Sequence, residues 1–195
     1  MNMPFDALTE VSDDALLVAY GNGDKAAAHA LTQRLTPRVL GFASRMLGDH
    51  AEAEDVAQEA MLRLWKIAPD WRQGEAKVTT WLYRVVSNLC TDRLRKKRGV
   101  ALDEIAEPAD DKPSAVDGMI DQARQLALRQ ALEKLPDRQR MAVVLRHIEG
   151  FSNPEIAQVM DLGVEAVESL TARGKRALSQ ALTGRRAELG YENDG

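Results

Sequence analysis

Apolar residues recur every three or four positions along most of this chain, and that spacing constrains its fold more than any other feature. Within 51–67, Val56, Ala60, Leu64 and Ile67 fall on one side of a helix, and polar residues fill the other side. No segment of the sequence alternates in the way a half-buried strand does. We therefore predict an all-α fold.

A segment with few large apolar residues divides the chain at 99–118. It contains Pro108 and Pro113 and is mostly acidic in its charges. This composition is typical of a linker. We predict two small helical domains, 1–98 and 119–195, joined by an acidic flexible linker.

Capping signals place the helices of the first domain. Ser12 has the character of an N-cap. Helices are then predicted at 25–35 and 37–47, because Pro37 suits a first turn and Gly48 a carboxyl end. Two more are predicted at 51–67 and 78–97, the latter burying Trp81, Leu82, Val85 and Leu89.

The last two predicted helices have the proportions of a helix-turn-helix. Ser152 caps a short helix, a turn containing Gly163 follows, and a final helix covers 164–182. In such a unit the exposed start of the second helix reads base edges, and nearby cations hold phosphates. The candidate residues are Glu165, Glu168, Ser169, Ala172, Arg173, Lys175 and Arg176.

The composition excludes several classes of protein. No stretch approaches the ~18 apolar residues that span a bilayer, and the amino end is acidic where a secretory signal is basic, so we expect a cytoplasmic protein without membrane contact. A single Cys90 and three histidines supply neither a disulfide nor a zinc cluster, and Cys90 is expected in the core. No nucleophile or metal arrangement is recognisable, so we predict no catalytic residue, no metal and no cofactor.

The net charge of −4 conceals opposed blocks. Residues 84–98 carry six bases and one acid, and residues 173–186 carry five bases and no acid. Residues 103–121 carry seven acids and one base. The two basic blocks are candidate nucleic-acid surfaces, although a single charge run is often only a solvated helix face.

Two long motifs carry a resemblance to a known family. Residues 53–65 read AEDVAQEAMLRLW, and residues 80–95 read TWLYRVVSNLCTDRLR. Both are similar to region 2 of bacterial sigma factors, while 132–140 and 150–157 resemble region 4. The chain as a whole resembles the extracytoplasmic-function (ECF) type of RNA polymerase sigma factor.

The resemblance implies partners and site residues. A polymerase-binding face on the clamp helices of the β′ subunit is implied for Asp55, Gln58, Glu59 and Arg63. Melting and binding of the −10 promoter element are implied for Trp71, Arg72, Gln73, Lys77, Arg84, Asn88, Arg93, Arg95, Lys96 and Arg98. The final helix would read the −35 element, and an anti-sigma factor released by a stress signal would control the protein.

The final helix departs from the family pattern. Relatives usually have basic residues where this chain has Glu168 and Leu170, and Gly174 lies mid-helix, at a cost of ~1 kcal/mol relative to alanine.

Two other functions stay open: a sigma mimic that binds an anti-sigma protein without DNA, and a helix-turn-helix repressor. An intact basic segment at 84–98 argues against the mimic, and the region 2 motifs argue against the repressor.

Overall fold

The computed structural model describes residues 10–101 and 119–183. These residues form eight α-helices and a short 3-10 helix, with no strand, which confirms the all-α prediction. The helices are α1 (Asp13–Gly21), α2 (Lys25–Leu47), α3 (His50–Ile67), α4 (Val78–Ala101), α5 (Met119–Glu133), α6 (Asp137–His147), α7 (Asn153–Met160) and α8 (Val164–Thr183); the 3-10 helix is Ala68–Asp70. Most of the predicted linker, 102–118, lies outside the described residues.

Helix α2 is continuous, so the prediction of separate helices at 25–35 and 37–47 is wrong. Pro37 lies inside α2, where it removes one backbone hydrogen bond at a cost of ~3 kcal/mol. Leu35, Val39 and Phe42 are all fully buried, and each contributes roughly 1.5–3 kcal/mol. Burial on both sides of the proline therefore outweighs the local penalty.

The predicted ends of α1 and α2 are confirmed. The hydroxyl of Ser12 accepts a hydrogen bond from the backbone of Ala15 at 3.3 Å. Gly48 ends α2 in the left-handed conformation, with φ of 66°.

The buried face of α4 differs from the prediction by about one position. Leu82 is buried as expected, but Tyr83, Val86, Ser87 and Cys90 are the other buried residues of its central turns. Trp81, Val85 and Leu89 lie at the half-buried edge of this face. The helix packs against both α2 and α3, so its apolar arc is wide and its centre could not be fixed from spacing alone.

Helix α8 packs very closely on α6. A Cβ atom at Gly174 would lie 2.6 Å from Cγ2 of Val143 and 3.1 Å from the carbonyl oxygen of Gln139. The mid-helix glycine therefore permits a close helix crossing. Between α7 and α8, Asp161 adopts the left-handed conformation, with φ of 54°.

The amino-terminal group (α1–α4) and the carboxyl-terminal group (α5–α8) pack against each other. The buried guanidinium of Arg140 donates to the main-chain oxygen of Met46 at 2.6 Å and to that of Glu133 at 2.9 Å. The rings of Tyr83 and Phe151 lie 4.8 Å apart. The amino-acid sequence contains no local signal for these contacts.

The described residues contain neither a membrane-spanning helix nor a metal-binding cluster. Within 10–101 and 119–183, no helix is long and apolar enough to cross a bilayer. The same residues contain no cluster of histidine, cysteine or acidic side chains suited to holding a metal ion.

Candidate polymerase and nucleic-acid interface

The outer face of α3 carries the four residues predicted to bind polymerase. Asp55, Gln58 and Arg63 are exposed and Glu59 is half-exposed, because the buried stripe of this helix passes through Val56, Ala60 and Leu64. Glu59 accepts a hydrogen bond from Arg63 at 2.8 Å.

Leu62 lies among these polar residues, and the sequence did not predict it as part of the binding face. Its side chain is 57% exposed, the largest exposure of any large apolar residue in the described part of the chain. The signal that could have identified it is its position off the buried stripe, four residues after Gln58. A single exposed leucine is common on protein surfaces, so it is the position of Leu62 among the four predicted residues that makes it a candidate for this interface.

Two tryptophans pack edge to face beside the loop that follows α3. The rings of Trp71 and Trp81 lie 6.3 Å apart, and both are half-buried. The Nε1 atom of Trp71 is buried without a hydrogen-bond partner. Arg72 and Gln73 follow and are exposed. Trp71 is therefore partly used in packing, and its remaining exposed surface is available for stacking.

The cationic side chains of α4 lie on more than one face of the helix. Lys77, immediately before α4, and Arg84, Asn88 and Arg95 on the helix follow one another at spacings of seven, four and seven residues. All four are exposed and share an outer face. Arg93 instead turns towards α3, where it pairs with Glu52.

Several predicted DNA-binding cations already have acidic partners. Arg95 pairs with Asp92 of its own helix. Lys77 and Arg98 reach the carboxyl-terminal group, where they lie 2.6 Å from Glu155 and 2.5 Å from Asp137. Lys96 is exposed.

All seven predicted −35 residues are exposed on α8. Val167 and Gly174 anchor the opposite face of the helix. The Nδ2 atom of Asn153 lies 3.4 Å from Oε1 of Glu168, and Arg173 donates to the main chain at Ser169. The start of α8 therefore presents a carboxylate, a hydroxyl and a guanidinium together.

Glu155 is a half-buried carboxyl at the start of α7. The hydrogen bond from Lys77, followed by those from the backbone and hydroxyl of Ser152, lowers the pKa of Glu155 to about 2. The same ion pair raises the pKa of Lys77. Glu155 therefore caps α7 and at the same time pairs with Lys77 of the amino-terminal group.

Comparison with known proteins agrees with this geometry. Residues 31–100 match the family described as Sigma-70 region 2, and residues 125–178 match Sigma-70, region 4. The chain is 32% identical over 186 residues to the RNA polymerase sigma-H factor of Pseudomonas aeruginosa, covering 90% of this chain and 96% of that protein. It is also 32% identical over 193 residues to the ECF RNA polymerase sigma factor SigM of Mycobacterium tuberculosis, covering 98% and 91%.

Solved structures show the same fold. CnrH, in complex with the cytosolic domain of CnrY, is 27% identical with a TM-score of 0.64, and the match covers 88% of this chain and 97% of CnrH. The sigma factor RpoE from Bartonella quintana, bound to the anti-sigma factor NepR, is 21% identical with a TM-score of 0.66, covering 78% and 94%. The two matched regions define a sigma-70-type initiation factor. The chain belongs to the ECF RNA polymerase sigma factors, which direct core polymerase to promoters.

Proposed function

We propose that the two helical groups divide promoter recognition between them. The first domain, 1–98, docks on core polymerase and opens the −10 element. The second domain, 119–195, reads the −35 element. Residues 99–118 connect them. The observation that carries this proposal is the outer face of α4, where cations and Asn88 continue along the helix from the Trp71–Trp81 pair.

The polymerase-binding surface is the exposed face of α3. Asp55, Gln58, Glu59 and Arg63 supply polar contacts to the β′ clamp helices, and Leu62 supplies apolar area at their centre. In protein interfaces a few central side chains, surrounded by contacts that exclude water, carry most of the binding energy.

The −10 surface combines stacking with phosphate contacts. Stacking of an extruded base on an aromatic face contributes ~1–3 kcal/mol, and the exposed surface of Trp71 next to Arg72 and Gln73 suits that role. Lys77, Arg84 and Lys96 are placed to hold the backbone of the opened strand.

The −35 surface is the start of α8. Glu168 is exposed and supported by Asn153, so its carboxylate accepts a hydrogen bond from the N4 amine of a cytosine in the major groove. Arg173, Lys175 and Arg176 follow on the same helix and contact phosphates.

Control by an anti-sigma factor completes the proposal. Support comes from CnrH, a relative of matching fold that was solved with a second polypeptide bound. A comparable partner would hold this chain inactive in the cytoplasm until a stress signal releases it. In this role the chain is a binding subunit with no catalytic chemistry of its own.

The test is transcription in vitro with core polymerase on fragments of the host genome. We expect promoter-specific initiation by the wild type and a strong loss in Arg95→Ala/Lys96→Ala. The control is Lys25→Ala/Lys134→Ala, which removes the same charge at exposed positions elsewhere and is expected to initiate normally. If the wild type does not initiate but binds an anti-sigma protein, the chain is a sigma mimic. Tight binding to duplex DNA without polymerase would instead favour a repressor.

A further inference from the structure

The exposed carboxylate of Glu168 on α8 is held by an amide from the neighbouring helix. The Nδ2 atom of Asn153, the first residue of α7, donates to Oε1 of Glu168 at 3.4 Å. The two residues are 15 positions apart, and they meet because α7 packs against α8. Arg173, the next cation along α8, donates to the main-chain oxygen of Ser169 rather than to this carboxylate. Asn153 is therefore the contact that orients Glu168.

The amide of Asn153 holds Glu168 while its own oxygen stays unsatisfied. The Oδ1 atom is buried and has no hydrogen-bond partner among the described residues, a state that costs free energy. If the amide oxygen and nitrogen were exchanged, the oxygen would face a carboxylate, which has no proton to donate. The orientation of this amide is therefore explained by the contact with Glu168 and not by the needs of Asn153 itself.

The start of α7 holds the backbone of Asn153 in place. Ser152, immediately before it, caps the helix, and the backbone N–H and the hydroxyl of Ser152 donate to Glu155 at 2.9 Å and 2.8 Å. Phe151 and Ile156 are both buried, and they occupy the two positions of a hydrophobic staple, which fixes the direction of the chain as it enters the helix. The amide thus projects from a backbone that is fixed on both sides.

We propose that Asn153 is a positioning residue that sets the base preference of Glu168. This inference rests on the proposed −35 surface and adds a determinant of its specificity. A carboxylate accepts through two oxygens, so the bond from Asn153 to Oε1 leaves Oε2 to accept from the N4 amine of a cytosine. Without that bond the glutamate samples many rotamers beside the charged DNA backbone, and it discriminates poorly between bases.

Transcription in vitro with core polymerase tests the proposal, on a promoter whose −35 element is varied one position at a time. Glu168→Ala identifies the position that Glu168 reads, because the base preference disappears there. We expect the wild type to favour cytosine at that position by roughly 5-fold or more over the other bases. Asn153→Ala removes the amide, and Asn153→Asp replaces it with an isosteric acid that suits a helix start, so both should reduce the preference to about 2-fold or less. Asn153→Gln keeps the amide and should retain most of it.

The matched control is Gln158→Glu, which makes the same change from amide to acid at an exposed position of α7. The added charge should affect all templates alike and leave the base preference unchanged. A second test combines Asn153→Asp with Glu168→Ala, and this double variant should show the same base preference as Glu168→Ala alone. Thermal unfolding checks that every variant is folded.

Two results would overturn the role of Asn153 while leaving the proposed function intact. One is a wild-type base preference in both Asn153→Ala and Asn153→Asp. The other is an unchanged preference at every position in Glu168→Ala, since Asn153 would then have no base-reading group to orient. A wild type that gives no promoter-specific initiation would instead refute the proposed function and this inference with it.

Discussion

A Cβ atom on Gly174 would lie 2.6 Å from Cγ2 of Val143, closer than side-chain carbons approach in folded proteins. We expect Gly174→Ala to lower the free energy of unfolding by about 1–3 kcal/mol, because overpacking outweighs the better helix propensity of alanine. Urea denaturation measures this change. Gly99, also helical but with nothing near its Cβ position, is the matched control, and Gly99→Ala should raise stability by up to ~1 kcal/mol. Equal effects of the two substitutions would contradict the close crossing of α6 and α8.

Leu62 is expected to anchor the chain on core polymerase. Because truncation of a central interface residue costs ~1 kcal/mol or more, Leu62→Ala should weaken binding to core polymerase roughly 5-fold or more. Fluorescence anisotropy with labelled chain measures the affinity. Leu126 is also an exposed helical leucine, at 46%, but lies on α5 away from this face, so Leu126→Ala is the control. Similar affinities for both variants would remove Leu62 from the polymerase surface.

Stability should fall in acid through Glu155. The pKa of this carboxyl is lowered to about 2 in the folded chain, below its usual 4.5, so its charged form stabilises the fold above about pH 4.5. This stabilisation is lost as the pH falls from about 4.5 to 2. Thermal unfolding across this range measures the loss, and Glu155→Gln should show a smaller dependence on pH. A variant with the same acid profile as the wild type would show that Glu155 is not paired in solution.

Cys90 should be chemically inert in the folded chain. Burial raises the pKa of its thiol to about 12, an effect that Arg93 only partly offsets, so the reactive thiolate is scarce at pH 8. A chromogenic disulfide reagent should therefore label the native chain slowly and the urea-unfolded chain at once. Since Cys90 is the single cysteine, the labelled fraction reports this site alone. Rapid labelling of the native chain would mean that α4 is open at this position.

The helical fold could be predicted from the sequence because the periodicity of buried residues is a local pattern. The same local reasoning failed at Pro37, where the rule for a helix start was outweighed by burial of Leu35 and Val39 on either side. The contacts of Tyr83, Glu149 and Glu155 between the two groups could not be predicted. They join residues 66 and 78 positions apart, and a lone glutamate in a sequence resembles any solvated acid.

The anchor formed by Arg140 differs in kind from the ion pairs around it. Its acceptors at Met46, Glu133 and Leu135 are main-chain oxygens, which every residue type possesses. Replacing any of those three side chains leaves the acceptor atom in place, whereas one substitution abolishes the pair of Lys77 and Glu155. The contact at the end of α2 therefore tolerates substitution of its acceptor residues. At the acidic ends of α7, by contrast, a single substitution removes a contact between the two groups.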